Sequence, residues 1–237
     1  MKTADAEKRI TGMEIAALAL AALGTLLLTL CLALSAVGHF AADGETYFEI
    51  QKSENVDAGI TDAEMLRQDM LLADYLSGNA GALEASAFNE REKAHMIDVY
   101  AIFRNMRITA RLSLILGCLL MAAAVMIPGN RLKRCLIGAG LGAALFFLPL
   151  VFWGIWAAAD FSGAFDAMHR LLFDNDLWLL DPDTDLMIRM LPQRFFVALA
   201  GRLALVTGLA ALCAPVVCAL FAAVATRIVP PKWLDER

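Results

Sequence analysis

Charge is scarce in this chain. Asp, Glu, Lys and Arg make up 19% of its 237 residues while 59% are hydrophobic, whereas a soluble globular domain is about a quarter charged and about half apolar. The shortfall excludes an ordinary soluble domain. Cysteine is equally restricted. All five (Cys31, Cys118, Cys135, Cys213 and Cys218) fall within or at the ends of long apolar runs, so the polar segments have none with which to build a disulfide framework. The net charge of −5 says nothing about nucleic acid, but the chain has no basic stripe or zinc-finger spacing, so no nucleic-acid partner is expected. A serine-nucleophile motif, a glycine-rich cofactor loop, an internal repeat and a low-complexity tract are all missing, and no cofactor or metal is expected.

What the chain does have is long apolar runs. About 20 apolar residues cross a hydrocarbon core of about 30 Å at a rise of 1.5 Å each. Residues 15–38, 112–130, 135–159 and 195–226 meet that requirement, the last with a lone Arg202 inside it. The first run far exceeds the roughly 7–15 apolar residues of a secretory signal, so it is expected to be retained. The expectation is an all-α integral membrane protein with four transmembrane helices and two extracytoplasmic helical caps.

Orientation follows from Lys and Arg in the short segments. Residues 1–14, 131–134 and 227–237 carry Lys2, Lys8, Arg9, Arg131, Lys133, Arg134, Arg227, Lys232 and Arg237, against Asp5, Glu7, Glu14, Asp235 and Glu236. That side is expected to be cytoplasmic, with both termini on it. Residues 39–111 and 160–194, which hold every other acidic residue, become caps 1 and 2 on the outer face of the cell membrane.

Cap 1 is too long for a plain connector. Thr61-Asp62-Ala63-Glu64 reads as a capping box opening a helix that Ser77-Gly78-Asn79 ends. A second start at Asn89, with Glu92 three residues on, begins a helix running into the second span. Its stripe of Met96, Val99, Ile102, Phe103 and Met106 suits a membrane surface. Cap 2 reads as two short helices. The first carries Phe165, His169, Leu172 and Phe173 on one side; the second starts at Asp181-Pro182 and is stopped by Pro192. Phe161, Phe165, Phe173, Trp178, Phe195 and Phe196 form an aromatic belt at the outer interface.

Histidine is rare as well, and all three (His39, His95 and His169) lie on the expected outer side. His39 closes the first span and reads as an interface residue. His95 sits in E-R-E-K-A-H-M-I-D-V-Y with Glu92 and Asp98 three residues to either side, so Asp98 is placed to orient its ring. His169 sits between Phe165 and Phe173 on its helix. A histidine among aromatics at a membrane surface is either a stable interface residue or a base in an apolar pocket, and two of them over one membrane face raise the second reading. Arg202 lies two turns below Arg194, about 12 Å along a helix, and either snorkels or faces a pocket.

The segments E-R-E-K-A-H-M-I-D-V and M-H-R-L-L-F-D-N-D-L-W-L-L-D-P-D-T-D-L-M-I-R-M-L-P-Q-R-F-F, on a four-span frame, resemble the lipoprotein intramolecular transacylase family, Lit. The likeness rests on the H-x-x-D-V, H-x-x-x-F, W-x-x-D-P and P-x-x-F-F units; Met168 stands where an aromatic is expected. The resemblance implies transfer of the sn-2 acyl chain of a diacylglyceryl-cysteine lipoprotein to the α-amino group of the same cysteine, with membrane lipid as the setting. It maps the family's two histidines onto His95 and His169. Asp98 joins them as orienter, and Arg202, Arg194, Trp178, Phe165 and Phe173 are the candidate substrate-binding residues. The residues suit this class: an α-amino group of pKa about 7.7–8.0 attacks only when neutral, and histidine is matched to removing its proton. His95 is the first candidate for the base, with His169 at the oxyanion or the departing glyceryl oxygen, and an acyl-histidine route stays open. A zinc enzyme built on His95, Asp98 and His169, and a non-enzymatic scaffold or sensor, are the rival readings.

Overall fold

A computed structural model describes residues 2–228, with side chains over 12–209 and at Leu220 and Val224. Eight helices follow in order: α1 (Lys2–Ala41), α2 (Gly44–Ser53), α3 (Asp62–Ser77), α4 (Glu90–Met126), α5 (Arg131–Ala159), α6 (Phe161–Leu172), α7 (Leu186–Met190) and α8 (Gln193–Ile228). The described residues contain no strand. Among the described residues three helical stretches, Gly12–Ala41, Glu90–Met126 and Arg131–Ala159, are long and apolar enough to cross a membrane. Most side chains of the fourth expected span, and most of those in the terminal segments expected to be cytoplasmic, lie outside the described residues.

The chain divides into two compact units. The first comprises Met1–Ala33, Thr109–Val151 and Thr207–Arg237. Small residues make up much of its interior, beside Met121 and Val125, because helices in lipid gain by close backbone approach and not by hiding apolar area from water. Ala17, Ala21, Thr25 and Thr29 line one stripe of α1 and are buried. Against it, a Cβ on Gly142 would stand 2.4 Å from the Ala22 carbonyl oxygen, and one on Gly138 2.6 Å from the Ala21 Cβ. Large side chains point outward instead: Leu23, Leu119 and Leu148 are all exposed. The turn between α4 and α5 occupies 127–130, so residues 131–134, expected as a loop, form the first turn of α5. Asn130 Oδ1 accepts from the Lys133 N–H at 3.0 Å, and Arg134 donates to the Pro128 and Ile127 carbonyls at 2.9 and 2.6 Å. These bonds satisfy orphan backbone groups at both helix ends.

The second unit comprises Leu34–Ile108 and Phe152–Val206. Ile50, Leu72, Met190 and Phe195 are almost fully buried in its core. Thr61 caps α3 through the Glu64 N–H at 3.3 Å, but Glu64 does not reciprocate; its carboxylate takes the Gln68 amide at 2.5 Å. At Asn89 the expected box is complete: the Glu92 N–H reaches Asn89 Oδ1 at 3.0 Å and the Asn89 N–H reaches Glu92 Oε2 at 2.7 Å. Gly78 ends α3 at φ +86°, a conformation that favours glycine, and Arg107 closes the last turn by donating to the Leu76 carbonyl at 2.6 Å.

Two local features depart from the sequence reading. Helix α2 has no counterpart in it; Asp43 caps this helix through the Thr46 N–H at 3.0 Å. The second helix of cap 2 begins at Leu186, not at Pro182, and Asp181 caps a turn. Asp185 accepts from the Asp181 N–H at 2.7 Å and the Thr184 hydroxyl at 3.0 Å, which holds 181–184 in that turn.

Candidate active site

Helix α4 has 37 residues, about 55 Å of helix against about 30 Å of hydrocarbon. Its apolar part follows Arg104, Arg107 and Arg111, and His95 lies in its first, more polar turns. Those turns are anchored at their cap. Glu92, almost fully buried, accepts from the Met187 N–H at 2.5 Å as well as from Asn89, and the Asn89 side chain donates to Asp185 at 2.7 Å. Helix α6 starts at Asp160, whose carboxylate caps the Gly163 N–H at 2.9 Å, and its inward face holds Ala164 and His169.

The two histidines meet. Their ring centroids are 6.3 Å apart, and they are 7% and 8% exposed. Phe173 stands edge-on to the His95 ring at 5.1 Å and lies 5.7 Å from His169. Trp178 stacks on His169 at 4.9 Å, and Phe165 lies 4.0 Å from it. Phe165 in turn contacts Phe161 and Phe196 at 5.6 and 5.4 Å, so much of the aromatic belt is a box around the imidazole pair.

The hydrogen bonds give the rings different states. His169 Nδ1 lies 2.8 Å from the Phe165 carbonyl oxygen. A carbonyl only accepts, so Nδ1 carries the proton and Nε2 of the neutral ring presents a lone pair. His95 Nδ1 is buried with no partner. Burial pushes both imidazoles below the ordinary histidine range. For His95 the neighbouring His169 adds to this and Asp98 opposes it, leaving a value of about 4; for His169 the Phe165 carbonyl opposes the shift. At neutral pH both rings are uncharged.

The remaining candidates fall into distinct groups. Phe165, Phe173 and Trp178 join the histidine box. Asp98 acts on His95 as a charge, but its carboxylate accepts a hydrogen bond from the Asn175 amide at 2.9 Å and does not orient the His95 ring. Arg202 is 3.7 Å from the Glu49 carboxylate of α2, and Arg194 lines a cleft of about 500 Å³ with Glu54 and Gln193. His39 is exposed beside Phe40. Among the described residues no group of three or more His, Cys, Asp or Glu is placed to hold a metal ion. Sequence reasoning missed Asn175 and Arg91, the latter donating to the Asp176 carbonyl. The polar run 174–176 between two apolar stretches was the one available signal.

Comparison with known proteins gives one consistent relationship. A family model described as lipoprotein intramolecular transacylase Lit matches residues 21–196. The in meso structure of the membrane-integral Lit of Bacillus cereus is similar at a TM-score of 0.65 and 21% identity, over 93% of this chain and 97% of that one. A structure of the same Bacillus protein with one histidine replaced by alanine is similar at a TM-score of 0.63 and 20% identity, over 96% and 98%. At these identities the structural likeness is one of fold. No curated protein sequence matches the chain.

Proposed function

The chain belongs to the lipoprotein intramolecular transacylase family, and we propose that it moves the sn-2 acyl chain of a diacylglyceryl-cysteine lipoprotein onto the α-amino group of that cysteine, with His95 and His169 as its catalytic residues. The family is one of transacylases, which makes an acyltransferase of this membrane-integral fold. The observation that carries the finer reading is the meeting of two buried imidazoles from separate segments in one aromatic box.

The reaction needs one proton taken and one returned. As the amine nitrogen attacks the ester carbonyl, a C–N bond forms and an oxyanion develops; collapse breaks the bond to the glyceryl oxygen, which leaves with a proton. The α-amino group becomes strongly acidic once it has added, and a neutral imidazole lone pair then accepts its proton. His169 suits that step, since its Nδ1 proton is engaged by the Phe165 carbonyl and Nε2 is free. This assigns the base to His169 where sequence alone favoured His95. His95, with its unshared ring nitrogen in an apolar wall, is the partner for the oxyanion or the glyceryl oxygen. Ester and amine belong to one substrate, so orientation supplies much of the acceleration.

The topology belongs to the same proposal. Helices α1, α4, α5 and α8 are the four spans, both termini are cytoplasmic, and the histidine box lies on the outer face at the level where the glyceryl esters sit. The arginines take a structural part, Arg202 with Glu49 and Arg194 beside Glu54. Replacement of His95 or His169 by Ala should abolish the N-acyl lyso product, read by mass spectrometry of lipoprotein N-termini, in folded protein. Normal product from both variants would refute the assignment.

A further inference from the structure

The two imidazoles are largely covered in this conformation, at 7% and 8% exposed. What lies over them is a short segment without regular structure, Phe173 to Trp178, between α6 and α7. Phe173, at its start, is the residue that contacts both rings, and Trp178, at its end, covers His169. Between these two aromatic plugs the segment is hydrophilic, with Asp174, Asn175 and Asp176 all exposed.

Two polar contacts hold this strap to the first turns of α4. The Asn175 amide donates to Asp98 Oδ2 at 2.9 Å, and the Arg91 guanidinium donates to the Asp176 carbonyl. The Asn175 side chain is itself set by the Leu177 N–H, which reaches its Oδ1 at 3.0 Å and leaves the amide nitrogen pointed at Asp98. Both contacts are at the surface, unlike the buried Glu92–Met187 bond nearby. Water competes for exposed hydrogen bonds, so each one biases an equilibrium only modestly. Regions held by few, solvent-exposed bonds open locally without unfolding what surrounds them.

We propose that Phe173–Trp178 is a hinged cover over the histidine pair, latched by Asn175 to Asp98 and by Arg91 to Asp176, and that substrate reaches the imidazoles when these latches release. Asn175 and Arg91 are thus positioning residues that touch no reacting atom. The proposal concerns access to the site on which the proposed reaction rests, and it is tested without assaying that reaction.

Diethylpyrocarbonate modifies unprotonated imidazole, and the three histidines of the chain serve as their own controls. In the full chain in detergent at pH 7, exposed His39 reacts at the open rate, and His95 reacts only when the cover lifts. Peptide mass spectrometry reads each site. Asn175→Ala or Arg91→Ala should raise the His95 rate relative to His39 by about two- to tenfold, the weight of one exposed hydrogen bond, and the double variant by about the product of the two. Phe173→Ala sets the ceiling. Hydrogen exchange across α3 should stay as in the unaltered protein, which confines the change to the cover. Unchanged His95 labelling in the double variant would overturn the proposal, as would a rise accompanied by faster exchange throughout α3. Formation of lyso-lipoprotein, measured separately, reads the reaction whether or not the cover is latched.

Discussion

Replacing Asp69 by Asn should stabilise the second structural unit at alkaline pH and do so far less at acid pH. Asp69 lies on α3, fully buried. Its Oδ1 accepts from the Gln51 amide at 3.0 Å, and its Oδ2 has no partner. The same Gln51 amide nitrogen donates to the Met190 carbonyl at 3.1 Å, and the Gln68 amide nitrogen donates to Glu64 at 2.5 Å. Neither glutamine can therefore turn its nitrogen around to serve the unpartnered oxygens. Burial raises the Asp69 carboxyl from 3.8 to about 7, against a smaller lowering by Gln51. Its one titratable neighbour of consequence, Tyr47, is itself pushed upward by burial and by Asp69.

The folded state holds this proton more tightly than the unfolded chain does. Its contribution is fully present below about pH 4 and is lost as pH rises through about 7. At 1.36 kcal/mol per pKa unit the loss is about 4 kcal/mol at most. Asparagine keeps the acceptor for Gln51, supplies a donor where Oδ2 has nothing, and never ionises. His95 contributes with the opposite sign: its depressed value adds stability above about 6.5 that is lost as pH falls toward 4. The difference between variant and parent cancels that background. Thermal unfolding in detergent, followed by tryptophan fluorescence at pH 4.5, 6 and 8, should show Asp69→Asn gaining on the order of 10 °C at pH 8 and roughly a quarter of that at pH 4.5. A pH-independent difference, or an asparagine variant less stable at pH 8, would mean that Asp69 is ionised in the fold and that the reasoning is wrong.

Two further outcomes follow from the same structure. Because both imidazoles proposed as catalytic sit below the ordinary histidine range, the rate of the proposed acyl transfer should fall first with the substrate amine, below about pH 7.7–8.0, and fall further only below the ordinary histidine value. A second break in the pH–rate profile near 6.5 would show that the histidines titrate normally. In the membrane unit, Gly142→Val should destabilise by about 2–4 kcal/mol, since even a Cβ there would lie 2.4 Å from the Ala22 carbonyl and α5 must move off α1. Gly140→Val, where a Cβ meets nothing within 4 Å, is the matched control, and equal melting temperatures for the two would contradict this packing.

The sequence by itself determined the apolar helices and several of their ends. Three uninterrupted apolar runs require helices wherever water is absent, because only a helix satisfies its own backbone. Asn89 with Glu92, Gly78 and Pro192 act on their immediate neighbours, so their effects could be read in place. The meeting of His95 with His169 was legible only as a family resemblance, for nothing local links residues 74 positions apart. The three-residue spacing of His95 and Asp98 suggested an orienting bond, but spacing gives reach and not choice, and Asp98 took the amide of Asn175 instead. Helix α2 was hidden because a short polar helix needs the packing of α3 to exist: its Gly44 lies where a Cβ would meet the Asp69 backbone at 2.8 Å. Tertiary structure alone decided which proton His169 keeps, which oxygens of Gln51, Gln68 and Asp69 go unpartnered, and what covers the imidazole pair. Each of these depends on groups brought together from distant parts of the chain, and local sequence carries no record of such meetings.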